Sequence, residues 1–273
     1  MKKWTGERLE TDIMNENTLE HLHRYALAGN LVKDKIVLDI ASGEGYGSNL
    51  LSKNAKHVVG VDISSETIVN AKKKYQKNNL VYLVGSATDI PCIENYFDIV
   101  VSFETIEHHD KHEEMMIEIK RVLKPDGILI ISTPDKKYYS DKTNYKNPFH
   151  IKELTLDEFK KLIGSHFLFI DYLFQKCTFN SIIFKQNRSV EYKEYSGDYL
   201  NISQLSDPEY VYIIALCSNT KLPPFEEIST FQNTDILQKL LVANVNLIKA
   251  GFRYRLGDFL LKPVSLLKRI FNF

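Results

Sequence analysis

Three glycines and two acids at fixed spacing carry the clearest chemistry in the chain. Gly43, Gly45 and Gly47 stand within DIASGEGYG, Asp39 precedes them, and Asp62 ends the next apolar run, HVVGVD. A glycine lets a ligand approach the backbone where a Cβ would block it, and a helix starting behind such a turn presents unpaired N–H groups. An acid about 20 residues on, at a strand tip, can accept both hydroxyls of a ribose. The pattern is that of a nucleoside site, with Ala41 of the turn and Ile63 beside the acid counted among its contacts. A second group, SFETIEHHDKH at 102–112, follows the apolar run FDIVVS. Ligands of an open parallel sheet lie beyond the carboxyl ends of its strands, so the stretch from Ser102 to His109 should line the same crevice, Phe103, Glu107 and His108 included. A neutral imidazole there can accept a proton from an attacking hydroxyl.

The glycine spacing is GxGxG, whereas a dinucleotide loop reads GxGxxG. Asp39 in the strand end would repel a pyrophosphate and attract, directly or through water, the amino group of an amino-acid moiety. Both features favour S-adenosylmethionine over NAD. At these residues the chain resembles the class I S-adenosylmethionine-dependent methyltransferases, whose loop D-x-x-x-G-x-G is met by Asp39, Gly43 and Gly45. WTGERL (4–9), EHLHRY (20–25), YGS after the loop, SFETIEH and NPFHIKEL are similar to segments of methyltransferases of bacterial surface-polysaccharide and nucleotide-sugar pathways, over about residues 4–217. The resemblance implies that GSATDIP (85–91) borders the adenine, with Ser86 where the family usually has an acid, and with Asp89 and the backbone near Ala87 sharing the contact. It also implies that Arg24 pairs with the methionyl carboxylate or an anionic substrate, and that Glu7 and Arg8 cap the site. His108 is the first candidate base and His150 the second; the alternative for His150 is a pairing with Glu153 one turn on. Asn147 and Pro148 are counted as substrate contacts. No metal is expected, because His112 should already lie on a helix capped by Asp110, so that His108, Asp110 and His112 do not converge; His109 and His112 then read as exposed helix-start residues.

The elements that must hold these residues alternate. Helices are expected at 17–28 with Asn17 as cap, at 46–53, from Ser64 to about 75, at 112–123, and from a Thr155–Glu158 capping box to about 164. Strands are expected at 35–40, 57–61, 80–84, 97–102 and, after the turn KPDG, 127–132, with two more near 167–174 and 210–217. The resulting fold is α/β, a doubly wound, Rossmann-like, seven-stranded and mostly parallel sheet with an antiparallel last strand and a helical C-terminal extension. The expected divisions are an N-terminal arm and cap helix at 1–30, the cofactor-binding domain at 31–217 and the extension at 218–273. An irregular insertion at 176–208 is either a substrate lid or a surface loop.

Composition narrows the partners. With 35 Lys plus Arg against 35 Asp plus Glu, there is no basic field of the kind a nucleic-acid partner requires. Three separated cysteines provide neither a disulfide framework nor a zinc ribbon. No signal-peptide core and no run of 18 apolar residues is present, so a cytoplasmic location is expected. Residues 249–273 are basic and amphipathic, which suits contact with an anionic inner membrane, a partner or a second copy. The expected activity is methyl transfer from S-adenosylmethionine to a hydroxyl of a sugar, nucleotide sugar or sugar-derived surface precursor. The alternatives are a quinone-type or other small acceptor, or a cofactor-binding scaffold.

Overall fold

In the computed structural model, residues 16–177, 181–187, 189, 193–197, 202–204, 209–225 and 227–232 are described, with a few positions between 242 and 251. The chain forms two compact units, 1–232 and 233–273. Almost all of the second lies outside the described residues, as do Glu7, Arg8 and most of the basic segment 249–273.

The sheet is organised about β1 (Ile36–Ile40), which pairs in parallel with β2 (His57–Asp62) and β4 (Phe97–Phe103). Strands covered on both faces must be apolar throughout, and the runs IVLDI, HVVGVD and FDIVVSF meet that demand apart from their functional ends. β3 (Leu80–Val84) adds to β2, and β5 (Leu123–Pro134) adds to β4. β10 (Tyr212–Ser218) runs antiparallel between β5 and β6 (Phe169–Cys177). β7 (Ser181–Lys185) folds back on β6, and β11 (Ile228–Phe231) closes that edge. The order is β11-β7-β6-β10-β5-β4-β1-β2-β3.

Among the described residues the sheet has nine strands where seven were expected. The difference has a physical origin in the segment read as an irregular insertion. Ser181–Lys185 is an inward-facing strand, and its hydrogen-bonding edge is satisfied by β11, which lies beyond residue 217. A separate hairpin joins β8 (Tyr195–Gly197) to β9 (Ile202–Gln204).

Helices cover both faces. α1 (Glu16–Gly29), α2 (Tyr46–Leu51) and α3 (Ser65–Lys74) pack Ala28, Leu51 and Ile68 with Val37, Val58 and Val101. On the other face α4 (His112–Val122) and α5 (Leu156–His166) pack Met115, Ile119, Phe159 and Ile163 with Leu38, Val100 and Ile131. Two expected caps form: the Ser64 hydroxyl accepts from Thr67 N–H, and Thr155 and Glu158 make a reciprocal capping box. Two do not. Helix α1 begins at Glu16, leaving Asn17 inside its first turn, and α4 has Lys111 at its N-cap rather than Asp110. KPDG is absorbed into β5 as an irregularity opposite Phe97 and Ile99, because the strand already begins at Leu123.

Candidate active site

The carboxyl ends of β1, β2, β3 and β4 and the segment after β5 surround one cavity of about 530 Å³. Its first half is built on the glycine turn. Ala41 (φ 56°) and Gly43 (φ 52°) take left-handed conformations, and Gly43 N–H donates to one Asp62 carboxylate oxygen at 3.0 Å. The other oxygen accepts from Ser64 N–H at 2.9 Å, so Asp62 ties the turn to the cap of α3. Ala41, Ser42, Gly43, Asp62, Ile63, Ser86, Ala87 and Phe103 all line the cavity. Ser86 makes a short turn, accepting from Thr88 N–H and sharing a hydrogen bond with the Thr88 hydroxyl.

Six expected contacts are absent from the wall; one is Pro148, whose neighbours Asn147 and Phe149 line the cavity in its place. Asp39 is fully buried and accepts from the hydroxyls of Ser48 (2.6 Å) and Tyr25 (3.2 Å), so it braces α2 and α1 behind the turn. Gly45 carries the turn into α2, where a Cβ would stand 2.6 Å from the Tyr82 hydroxyl. Ser102 is buried within the sheet, and Asp89 is exposed beyond the Ser86 turn. Arg24 is wholly buried. Its guanidinium donates to Gln175 Oε1 at 2.7 Å, lies 4.7 Å above the Tyr212 ring and stands 3.7 Å from Glu104. It therefore backs the wall formed by Tyr212 and Glu104.

The second half of the cavity holds Glu107, His108 and His150 together. A short 3-10 turn (Ile106–His108) follows β4, and the Glu107 carbonyl accepts from both Ile151 and Lys152 N–H, at 2.8 and 3.1 Å. That double contact pins the distant segment beside the turn. The rings of His108 and His150 meet edge to face, 5.2 Å apart. His108 Nδ1 is 3.0 Å from the Phe149 carbonyl oxygen. A carbonyl only accepts, so Nδ1 carries the hydrogen and Nε2 is the basic nitrogen. His150 Nδ1 likewise donates to Glu153 at 2.5 Å, and its Nε2 accepts from the Asn147 amide at 3.0 Å. The expected His150–Glu153 pairing thus coexists with a place in the wall. Burial, followed by the neighbouring Glu104, pushes the Glu107 carboxyl well above the usual carboxylate range.

His109 and His112 are not exposed. His112 is buried with Nε2 2.8 Å from the His109 carbonyl oxygen, and burial lowers the pKa of both rings. His108 turns away from them toward Glu107 and His150.

Glu104, within the stretch expected at the crevice, does line the cavity. It has φ 51° and accepts from the Ser132 hydroxyl at 2.6 Å, a strained backbone of the sort found at ligand sites. Ser42, Tyr25, Tyr46, Tyr139 and Tyr212 also line the cavity and were not singled out from the sequence. The EHLHRY segment pointed to α1 but not to which of its rings turns inward.

The first half fits S-adenosylmethionine on two observations. Among the described residues, a Cβ built on Gly43 meets no atom within 4 Å, so the turn leaves room for a ligand against the backbone. The Ser42 hydroxyl, also in the wall, is buried and has no hydrogen-bond partner among the described residues.

A mixed sheet with β10 inserted antiparallel between β5 and β6, and a cavity over the β1 and β4 ends, defines the class I methyltransferase fold. Residues 38–131 match the family model described as a methyltransferase domain. S-adenosylmethionine is the cofactor of that class. The YcgJ protein of Bacillus subtilis has a similar fold, with TM-score 0.54 at 16% identity over 78% of this chain and 100% of that one. A probable S-adenosylmethionine-dependent methyltransferase of Mycolicibacterium smegmatis is 30% identical over 162 residues, 58% of this chain and 62% of its own length. A ubiquinone biosynthesis O-methyltransferase of Actinobacillus pleuropneumoniae is 27% identical over 44% of this chain and 53% of its own. The chain thus spans about three fifths of the length of the first of these relatives.

Proposed function

We propose that this protein transfers a methyl group from S-adenosylmethionine to a hydroxyl of a sugar, nucleotide sugar or sugar-derived surface precursor. When bound, S-adenosylmethionine supplies a methyl group activated by its sulfonium. Asp62 would take the ribose, since an ionised carboxylate offers about four acceptor positions; Ser42, Gly43 and the Ser86–Ala87 turn would hold the rest. The chain's task is then alignment of the acceptor oxygen and removal of its proton.

The observation that carries the reading is His108. Its Nδ1–H is committed to the Phe149 carbonyl, so Nε2 is the atom able to take a hydroxyl proton. Tyr139 and His150 stack at 5.3 Å as a flat wall beside Asn147 and Glu104, a surface suited to a ring bearing several hydroxyls. The name of the ubiquinone O-methyltransferase relative favours a second reading, a phenolic acceptor in the same place.

The test is mass spectrometry of methyl transfer to panels of nucleotide sugars, glycan precursors and phenols, with His108→Gln in parallel. A methylated sugar is expected, with kcat lower by about 10²–10⁴ in the variant and little change in cofactor affinity. Methylation of phenols alone would move the assignment to the second reading, and unaltered kcat in the variant would remove His108 as the base.

A further inference from the structure

Glu107, His108 and His150 do more than meet; each offers one ligand atom, and the three atoms lie within 4.8 Å of one another. All three residues line the cavity. One carboxylate and two imidazoles form a donor set for Zn²⁺ and its first-row neighbours rather than for Mg²⁺ or Ca²⁺, which prefer oxygen. Three protein donors leave a coordination position open.

The surroundings of the rings match what a bound cation needs. Metal-ligating histidines are held by an outer acceptor on the other nitrogen, and here His108 has the Phe149 carbonyl and His150 has the Glu153 carboxylate. Glu107 is buried, its carboxylate accepting from the Thr133 hydroxyl at 3.4 Å, and a second carboxylate, Glu104, shares the wall. A cation at His150 Nε2 would displace the Asn147 amide, whose Nδ2 now lies 3.0 Å from it.

We propose that Glu107, His108 and His150 form a binding site for a divalent transition-metal ion, and that its occupancy silences the proton acceptor of the reaction. The cation and the substrate proton compete for the same His108 lone pair. The inhibitory part rests on the functional reading above; the binding part does not.

The experiment uses the full chain, free of any histidine tag, with Co²⁺ as the spectroscopic probe and Zn²⁺ as the inhibitor. A visible cobalt band saturating at one ion per chain is expected, with affinity lower by about tenfold or more in both Glu107→Gln and His150→Gln. Zn²⁺ should lower methyl transfer, and a chelator should restore it. A band that never saturates, or one that persists unchanged in both variants, overturns the site. Turnover that rises with Zn²⁺ overturns the inhibitory role and leaves the methyltransferase reading standing. Calorimetry of S-adenosylhomocysteine binding is read alongside: no binding by the wild-type chain overturns the functional reading without altering the cobalt result, and intact binding by the variants shows that they are folded.

Discussion

Asp39 has a conventional carboxyl in an unfolded chain, but burial pushes it up to about 7 in the folded protein, against the hydrogen bonds it accepts from Ser48 and Tyr25. Folding therefore takes up a proton between about pH 4 and pH 7, and stability falls as pH rises through that window, then levels off. His23 acts in the opposite sense. Burial, then Arg24, lowers it from 6.5 to about 4, so its contribution is lost as pH falls below 6.5. Asp39→Asn removes the first effect and keeps the shape. Measured by urea unfolding, the variant should gain on the wild type by roughly 2 to 3 kcal/mol more at pH 8 than at pH 5. An equal difference at the two pH values would mean that Asp39 does not hold its proton. The residue was legible as important from its position before Gly43, but not its task. A strand-end acid can face a ligand or brace the turn from behind, and only the hydroxyls of Tyr25 and Ser48, supplied by two other elements, decide between them.

Helix α1 is fitted to the glycine turn and α2 through Tyr25, whose ring also meets Tyr46 edge to face, and through His21, which hydrogen-bonds the Tyr46 hydroxyl. A Cβ built on Gly47 would stand 2.0 Å from the Tyr25 ring, so that ring occupies the space a side chain would need. Gly47→Ala should cost about 1 to 3 kcal/mol through overpacking and weaken cofactor binding, because Tyr25 lines the cavity and also holds Asp39. Gly29→Ala, where a Cβ meets nothing within 4 Å, is the control. Matching losses in thermal unfolding for the two variants would show that α1 is free to adjust. Elements of this kind were readable where local chemistry defines them: the apolar runs of β1, β2 and β4, the Ser64 cap and the Thr155–Glu158 box all formed. The meeting of His108 with His150 was harder to read. It depends on Ile151 and Lys152 donating to one carbonyl some 40 residues away in sequence, a backbone contact that no side-chain pattern announces.

At the scale of the whole molecule, the two strands beyond the expected seven serve α1 as well as the sheet edge. His23 of α1 reaches Ser181 of β7 at 2.9 Å through Nδ1 and Ser229 of β11 at 3.1 Å through Nε2, and its ring lies 5.9 Å from Phe231. Gln175 of β6 joins the same network, donating to the Ser181 hydroxyl and the Glu20 carbonyl while accepting from Arg24, which stands behind Glu104. The edge is thereby connected to the cavity wall through buried polar groups, which are costly to leave half satisfied. A chain ending at Gln232 keeps the whole of this network and the complete first unit. It should melt as one transition and bind S-adenosylhomocysteine with the affinity of the full chain. A chain ending at Ser218 loses β11, leaves His23 without Ser229 and opens the β7 edge; it should lose at least about 2 kcal/mol and bind the ligand more weakly, since His21 and Tyr25 of α1 stand in the wall. If the shorter chain binds and melts like the longer one, the added strands merely decorate the sheet. If the longer one fails to fold, the segment 233–273 is part of the folding unit rather than a separate body.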